Sequence, residues 1–158
     1  MAKVLPILNH PHPILRKKSR PLTAEEINSS KIQSLISNLA KTMITKDGAG
    51  LAAPQVGENV QLLALRDEEK IIIMINPQIT KKSWAKDVNE EGCLSVLDKN
   101  GNIIFGNVER HKKVQCLYLN AKGKKQKISA ENILARIIQH ETDHLDGILF
   151  IDKLYHGK

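Results

Sequence analysis

Two histidines and a glutamate near the carboxyl end of the chain have the spacing of a catalytic metal site. The segment His140-Glu141-Thr142-Asp143-His144 lies in a stretch whose apolar residues predict a helix from Ser129 to about Leu145. Residues four apart on a helix project in nearly the same direction, so both imidazoles can bind one metal ion. Glu141 lies beside that pair, where a carboxylate can act as a general base toward a water molecule.

Two imidazoles do not complete such a site, because a catalytic metal normally has three protein ligands. No glutamate follows Glu141, and Phe150 stands where a metzincin-type pattern would have its third histidine. The third ligand must therefore come from upstream. Cys93 is the best candidate, since the neighbouring Gly92 allows a close backbone approach. Cys116 falls in an alternating apolar strand pattern, and we interpret it as a core residue.

A second unusual segment is the small, uncharged stretch from Gly48 to Gly57. It lacks the Lys-Ser/Thr ending of a phosphate-binding loop, and it follows a predicted helix instead of preceding one. Two interpretations stay open. The small residues would let an extended peptide approach the backbone closely, with Gln55 as an amide donor, or the segment is a tight turn in the core.

The rest of the pattern predicts an α+β fold, with mainly antiparallel strands around a buried carboxyl-terminal helix that carries the HExxH motif. Four prolines predict an irregular first segment of twenty-two residues. Ser30 and Gln33 predict a capping box for a first helix, and Asp47-Gly48 ends it. Ser129 is the expected N-cap of the buried second helix. The strands are expected at residues 61–65, 70–75, 114–118 and up to about 128.

Composition places the chain among globular proteins. With 158 residues and only short apolar runs, we expect one catalytic domain over residues 1–158, located in the cytoplasm and not bound to a membrane. Two cysteines cannot make a disulfide scaffold, which fits a reducing compartment. The net charge of +7 makes a ribosome surface a candidate partner. Five aromatic residues are too few to predict a specific nucleic-acid site.

Three motifs together resemble the peptide deformylase family. They are the segment from Gly48 to Gln55 (GxGxAAxQ in the family), the segment from Glu91 to Ser95 (EGCLS), and the segment from Gln139 to Leu145 (QHExDHL). Their order is that of the family, and residues 11–16 and 75–77 are similar as well. The resemblance implies hydrolysis of the N-formyl group from the N-terminal formylmethionine of newly made polypeptides, with release of formate. N-formylmethionyl peptides are then the expected partners.

The resemblance also implies a role for each residue of the site. The implied ligands of Fe²⁺, or of Zn²⁺, Ni²⁺ or Co²⁺ in its place, are Cys93, His140 and His144. The implied catalytic groups are the general base Glu141 and the oxyanion donors Gln55 and the Leu94 backbone N–H. The implied substrate contacts are Gly48, Ala49, Gly50 and Glu91.

The chain departs from the family pattern after the second motif. Leu97 stands where the family usually has proline, and an apparent insertion including residues 98–101 follows. Two rival functions also fit parts of the sequence. One is a metallopeptidase of different specificity, and the other is a basic ribosome- or RNA-binding protein with a structural metal. A structural site would need a fourth protein ligand, and the sequence offers only three candidates.

Overall fold

A five-stranded antiparallel sheet and a separate two-stranded hairpin form the frame of the molecule. The computed structural model describes residues 1–157. Its strands are β1 (Gly50–Ala52), β2 (Leu62–Asp67), β3 (Lys70–Lys82), β4 (Lys86–Leu97), β5 (Ile103–His111), β6 (Lys113–Leu119) and β7 (Lys125–Glu131). Its α-helices are α1 (Ala24–Ile27), α2 (Ser30–Thr45) and α3 (Asn132–Leu145). The sheet has the order β1-β2-β3-β6-β7, and β4 pairs with β5.

Strand β2 shows how the sheet can carry a helix on each face. Successive side chains of a strand point to opposite faces. Leu62 and Ala64 pack with the residues of α2, whereas Leu63 and Leu65 pack with those of α3. All four side chains are fully buried, so β2 is a central strand of the core.

Helix α3 is enclosed between the sheet and the β4–β5 hairpin. Ala135, Ile138 and Leu145 join the core cluster on the sheet, while Val108 of β5 and Phe150 form a smaller cluster on the hairpin side. All pairings between the named strands are antiparallel. The predicted α+β class with a buried carboxyl-terminal helix is therefore confirmed.

Several predicted details of the helices are wrong. Ser29, not Ser30, caps α2 by accepting from the Ile32 N–H, and the Gln33 side chain donates to backbone carbonyls outside the helix. Ser129 is not a cap, because β7 stays paired with β6 as far as Glu131. Ile133, in a helix predicted to be buried, is 76% exposed, because it lies in the first turn and lines a cleft.

The β4–β5 hairpin was not predicted from the sequence. Its strands alternate charged, polar and apolar residues, so neither shows a continuous apolar face. The apparent insertion is the hairpin's turn, where Asp98 accepts backbone hydrogen bonds from Asn100 and Asn102 through its side chain. Cys93 therefore lies on a strand, not in a loop.

The amino-terminal segment is extended as predicted, apart from a single 3₁₀ turn at Pro13–Arg16. Backbone N–H groups of Leu8, His10 and Ser19 donate to Gln55, Ser95 and Leu145 respectively. This segment thus fastens three elements that carry site residues. Within residues 1–157, no helix is both long and apolar enough to cross a membrane.

Gly147 is expected to be far less replaceable than Gly101, although both have left-handed φ angles of +74° and +83°. A Cβ on Gly147 would lie 2.5 Å from the Arg16 carbonyl oxygen, whereas one on Gly101 would meet no described atom within 4 Å. Gly101→Ala should cost roughly 1–2 kcal/mol of unfolding free energy from the φ angle alone. Gly147→Ala should lose about 1–3 kcal/mol more from the clash. Urea unfolding of both variants checks this, and equal losses would contradict it.

Candidate metal centre and catalytic cleft

Three soft or borderline donors from two elements converge at one point. One donor atom each from Cys93, His140 and His144 lies within 4.8 Å of the other two. The Cys93 Sγ is 3.4 Å from His144 Nε2. Cys93 comes from β4 and both histidines come from the inner face of α3, so the cluster exists only because the hairpin packs on that helix. All three residues are at most 9% exposed.

The orientation of His140 is fixed by Glu91. His140 Nδ1 is 2.9 Å from Glu91 Oε1, which leaves Nε2 to face the cluster. Such a carboxylate–imidazole pair sets the tautomer that a metal requires. Burial opposes a charge on His140, but hydrogen bonds with Cys93 and Glu91 outweigh it and raise its pKa to about 10. A cation bound at Nε2 would displace the proton that this nitrogen carries when the imidazole is charged.

Glu91 is itself held by two guanidinium groups. Arg110 donates through Nε and Nη2 to the two carboxylate oxygens, each at 2.9 Å, and Arg136 Nη1 donates to Oε2 at 2.6 Å. Burial raises the pKa of Glu91, but the hydrogen bonds from His140 and Arg110 outweigh it and leave the pKa far below its usual value. Asp143 completes the network through an Arg110 contact at 2.6 Å.

Sequence reasoning missed Arg110 and Arg136, because basic side chains in a chain of net charge +7 are expected on the surface. The one available signal was the place of Arg136, four residues before His140 on the same predicted helix face. The Glu91 carboxylate faces this network. The Glu91 side chain therefore orients His140. The substrate contact predicted for this residue remains a prediction, and it would involve the backbone of Glu91.

Glu141 has the environment of a general base. Its side chain is almost fully buried, and Oε2 has no hydrogen-bond partner among the described residues. Burial raises the pKa of Glu141 to about 7; the charge of His140 opposes this rise and that of Glu91 adds to it. A Cβ on Gly50 would lie 2.7 Å from Glu141 Cγ, so only glycine lets β1 pass this close to the carboxylate.

Gln55 is anchored at both ends of its amide. Its Oε1 accepts from the Ala52 N–H at 2.9 Å, and its Nε2 donates to Ser95 Oγ at 3.0 Å. The same Nε2 lies 3.6 Å from Cys93 Sγ, which aims its second hydrogen at the cluster. Leu94 lies where the β4–β5 ladder is interrupted, between Gly92 and Leu97.

A cleft of about 670 Å³ opens beside these groups. One wall is the segment Gly48–Gly50, the other is β4, and Ile133 and Ile137 of α3 close its end. Strand β1 pairs with β2 on one side only, and within residues 1–157 no strand occupies its other edge. The tight turn in the Gly48–Gly57 segment is present, as a buried 3₁₀ turn at Ala53–Val56. Residues 50–52 form an edge strand, and the approach of an extended peptide to it stays a prediction.

The donor set fits a divalent metal. One thiolate and two imidazoles suit iron, zinc, nickel or cobalt. In the described part of the chain, the cluster includes no fourth histidine, cysteine or carboxylate ligand. Three protein ligands with a further position open are typical of a catalytic site, and a structural site would be closed by a fourth. This arrangement disfavours the rival function with a structural metal.

An HExxH helix, an upstream thiolate and a buried unpaired glutamate beside a peptide-sized cleft define a metal-dependent amide hydrolase. The family model described as polypeptide deformylase matches residues 4–158. The chain belongs to the polypeptide deformylase family. It is an enzyme that removes the N-formyl group from the N-terminal formylmethionine of newly made polypeptides.

Individual relatives agree with this assignment. The chain is 46% identical to a peptide deformylase of Halothermothrix orenii over 153 residues, which covers 96% of this chain and 94% of that protein. It is 44% identical to the peptide deformylase of Pseudothermotoga lettingae over 140 residues, 89% of this chain and 77% of that protein.

Solved structures of the family superpose over nearly the whole chain. The peptide deformylase of Thermotoga maritima has a TM-score of 0.89 at 34% identity, covering 97% of this chain and 99% of that one. A class I type b peptide deformylase from Acinetobacter baumannii with Met-Ala-Ser bound has a TM-score of 0.91 at 34% identity, covering 98% and 100%. The family and its fold are therefore shown by sequence and structure alike.

Cys93→Ala should lose bound metal, whereas Cys116→Ala should keep both metal and rate. Removing the thiolate leaves two imidazoles, a weak site for a divalent ion. Cys116 is fully buried in the sheet core, where burial raises the pKa of its thiol to about 11. Metal analysis after gel filtration distinguishes the two variants. Loss of metal from Cys116→Ala alone would show that the wrong cysteine has been assigned.

Proposed function

We propose that Cys93, His140 and His144 hold the catalytic metal of this deformylase and that Glu141 is its general base, all within one catalytic domain. The observation that carries this proposal is the unpartnered Glu141 Oε2 beside the three-donor cluster, because a buried carboxylate oxygen is seldom left without a partner. In the family's reaction that oxygen would receive a water proton.

The reaction needs a proton to move twice. A bound divalent ion would act as a Lewis acid on the formyl carbonyl and its attacking water. Glu141 accepts a proton from the water as its oxygen adds to the formyl carbon. It then returns the proton to the departing amine nitrogen as the C–N bond breaks, so the products are formate and a free α-amine. A pKa of about 7 suits both transfers near neutral pH.

Negative charge develops on the formyl oxygen during the addition. We propose that Gln55 Nε2 and the Leu94 backbone N–H donate to it. Ala52 and Ser95 fix the amide of Gln55, so little reorganisation accompanies the charge. Donors placed in advance are worth more than mobile ones, because they need not turn during the reaction.

The substrate backbone is proposed to add to the free edge of β1, through the segment Gly48–Gly50. Small residues there leave room for an extended peptide, and the edge supplies backbone donors and acceptors. The structure of the Acinetobacter baumannii relative with Met-Ala-Ser bound supports a peptide ligand for this cleft.

We propose Fe²⁺ as the native metal, as the resemblance to the family implies. Zn²⁺, Ni²⁺ or Co²⁺ could replace it, because the thiolate and imidazole donors suit each of these ions. Metal analysis of protein purified without oxygen or chelators tests this choice, and purified protein that contains zinc and no iron would contradict it. The net charge of +7 supports a second proposal, contact with the anionic ribosome surface. Salt-dependent co-sedimentation with ribosomes tests that contact.

The decisive test is formate release from formyl-Met-Ala-Ser, measured with a coupled formate dehydrogenase. Stoichiometric formate and free Met-Ala-Ser are expected. Release of free methionine, or cleavage between Met and Ala, would instead support the rival metallopeptidase and reject the proposed function.

Glu141→Gln should keep its metal and lose turnover. The amide preserves the shape of the side chain but cannot accept a proton, which should lower kcat by about 10² to 10⁴. Glu131→Gln is a matched control, because that carboxylate is exposed at the end of β7. Metal content and kcat are measured on the same preparations. More than a tenth of wild-type activity in Glu141→Gln would rule out the assignment.

The formyl group should be strongly preferred to acetyl. The ligand cluster, Gln55 and Glu141 crowd the position of the carbonyl carbon, where acetyl has a methyl in place of hydrogen. Acetyl is also the less electrophilic carbonyl. Parallel assays of formyl-Met-Ala-Ser and acetyl-Met-Ala-Ser measure kcat/KM for each, and comparable values would show that the cleft does not enclose the reacting carbon.

A further inference from the structure

Arg136 and His140 both hydrogen-bond to the Glu91 carboxylate from one face of α3. They lie four residues apart, so their side chains project in nearly the same direction. Arg136 Nη1 is 2.6 Å from Glu91 Oε2, and His140 Nδ1 is 2.9 Å from Glu91 Oε1. Each oxygen of Glu91 is thus engaged by a different turn of the helix that carries both histidine ligands.

The remaining donors of Arg136 reach two strands. Nη1 also donates to the Val108 carbonyl of β5 at 2.9 Å. Nη2 donates to the Asp87 carbonyl at 3.1 Å and to Asp87 Oδ1 at 2.7 Å, both on β4. The side chain of Arg136 is only 10% exposed, so water screens these contacts weakly. A single guanidinium therefore links α3, β4 and β5.

These hydrogen bonds connect α3 and β4, the two elements whose separation sets the distances between the proposed metal ligands. Cys93 lies on β4 and the two histidines on α3. Glu91 precedes Cys93 by two residues, so the period of a strand places both side chains on the same face of β4. A contact that holds Glu91 against α3 therefore also sets how far Cys93 stands from the histidines.

We propose that Arg136 is a positioning residue for the metal centre, acting through Glu91 and the β4–α3 spacing. Arg110 also holds Glu91, but it reaches α3 through Asp143, near the end of the helix. Arg136 ties Glu91 and Asp87 of β4 to α3 one turn before His140. This inference rests on the proposed ligand set of Cys93, His140 and His144.

Electrostatic repulsion and positioning predict opposite effects of removing Arg136 on metal affinity. A guanidinium close to a metal site repels the incoming cation, so removing its charge should strengthen metal binding. Positioning predicts weaker binding, because partners that orient metal ligands typically contribute about 10-fold to 100-fold in affinity. The sign of the change separates the two effects.

The experiment compares Arg136→Met, Arg136→Lys and the control Arg20→Met, which removes the same charge from an exposed surface pair. Zn²⁺ affinity is measured by competition with a chromophoric chelator, and the Co²⁺ form is followed by its thiolate charge-transfer absorption. Arg136→Met should bind Zn²⁺ about tenfold more weakly, with a changed cobalt spectrum. Arg136→Lys keeps the positive charge but loses the planar guanidinium that donates several hydrogen bonds, so it should recover only part of the lost Zn²⁺ affinity. Arg20→Met should match wild type.

Unchanged or tighter Zn²⁺ binding by Arg136→Met would overturn the proposal, as would full recovery in Arg136→Lys. If Arg136→Met fails to fold, Arg136→Lys and Asp87→Asn decide the matter, because both weaken the same link while leaving the Arg110–Glu91 pair intact. Wild-type affinity in both would reject the idea. The test is separable from the proposed function: if Cys93→Ala binds Zn²⁺ as tightly as wild type, the ligand set itself is wrong. If Cys93→Ala loses Zn²⁺ but Arg136→Met does not, only the role of Arg136 fails.

Discussion

The buried charge of Glu91 is the constraint on which the metal centre depends. An ionised carboxylate removed from water costs several kcal/mol unless hydrogen bonds and opposite charges replace its solvation. Here both oxygens are occupied, by Arg110 on one side and by Arg136 and His140 on the other. Without Glu91, the buried Arg110 would keep only Asp143 as a counter-ion, and Arg136 would keep only Asp87. The buried charges therefore stabilise one another, and His140 is oriented by its hydrogen bond with Glu91.

This set also explains how ligands from distant parts of the chain meet. The helix provides two donors at fixed spacing, which local structure alone guarantees. The third donor depends on a hairpin whose strands make short polar contacts with α3 through Glu91, Asp87 and Arg110. Apolar packing of Val96, Val108 and Phe150 brings the hairpin to the helix without fixing its register. Directional ion pairs supply the register that non-directional packing lacks.

The parts predicted correctly from the sequence are those whose signal is local. The HExxH motif on a buried helix and the alternation of β6 could be recognised from spacing, whereas the closeness of Cys93 to the two histidines was inferred by elimination and from its glycine neighbour. The β4–β5 hairpin could not, because its inward residues are Glu91 and Cys93 as well as apolar ones, so no hydrophobic period marks it. The two capping errors have local causes. Ser29 and Ser30 are adjacent, so the pattern does not distinguish which of them is the cap. Ser129 has the residue type of a cap, but it still belongs to β7, which is paired with β6. Arg136 was missed because its role requires a partner 45 residues away.

The same buried charges influence the base that carries out the chemistry. Glu141 follows His140 directly, yet its carboxylate lies close to Gly50 on β1 and forms no ion pair with an arginine of the described residues. Burial raises the pKa of Glu141 to about 7, although the charges of His140 and Arg110 oppose this rise. If either arginine paired with Glu141 instead, the carboxylate would stay ionised and become a poor proton acceptor. The two carboxylates thus have different roles because only Glu91 is paired with the arginines. Glu91 stays charged and orients His140. Glu141 is buried and has no ion-pair partner among the arginines, so it can exchange a proton.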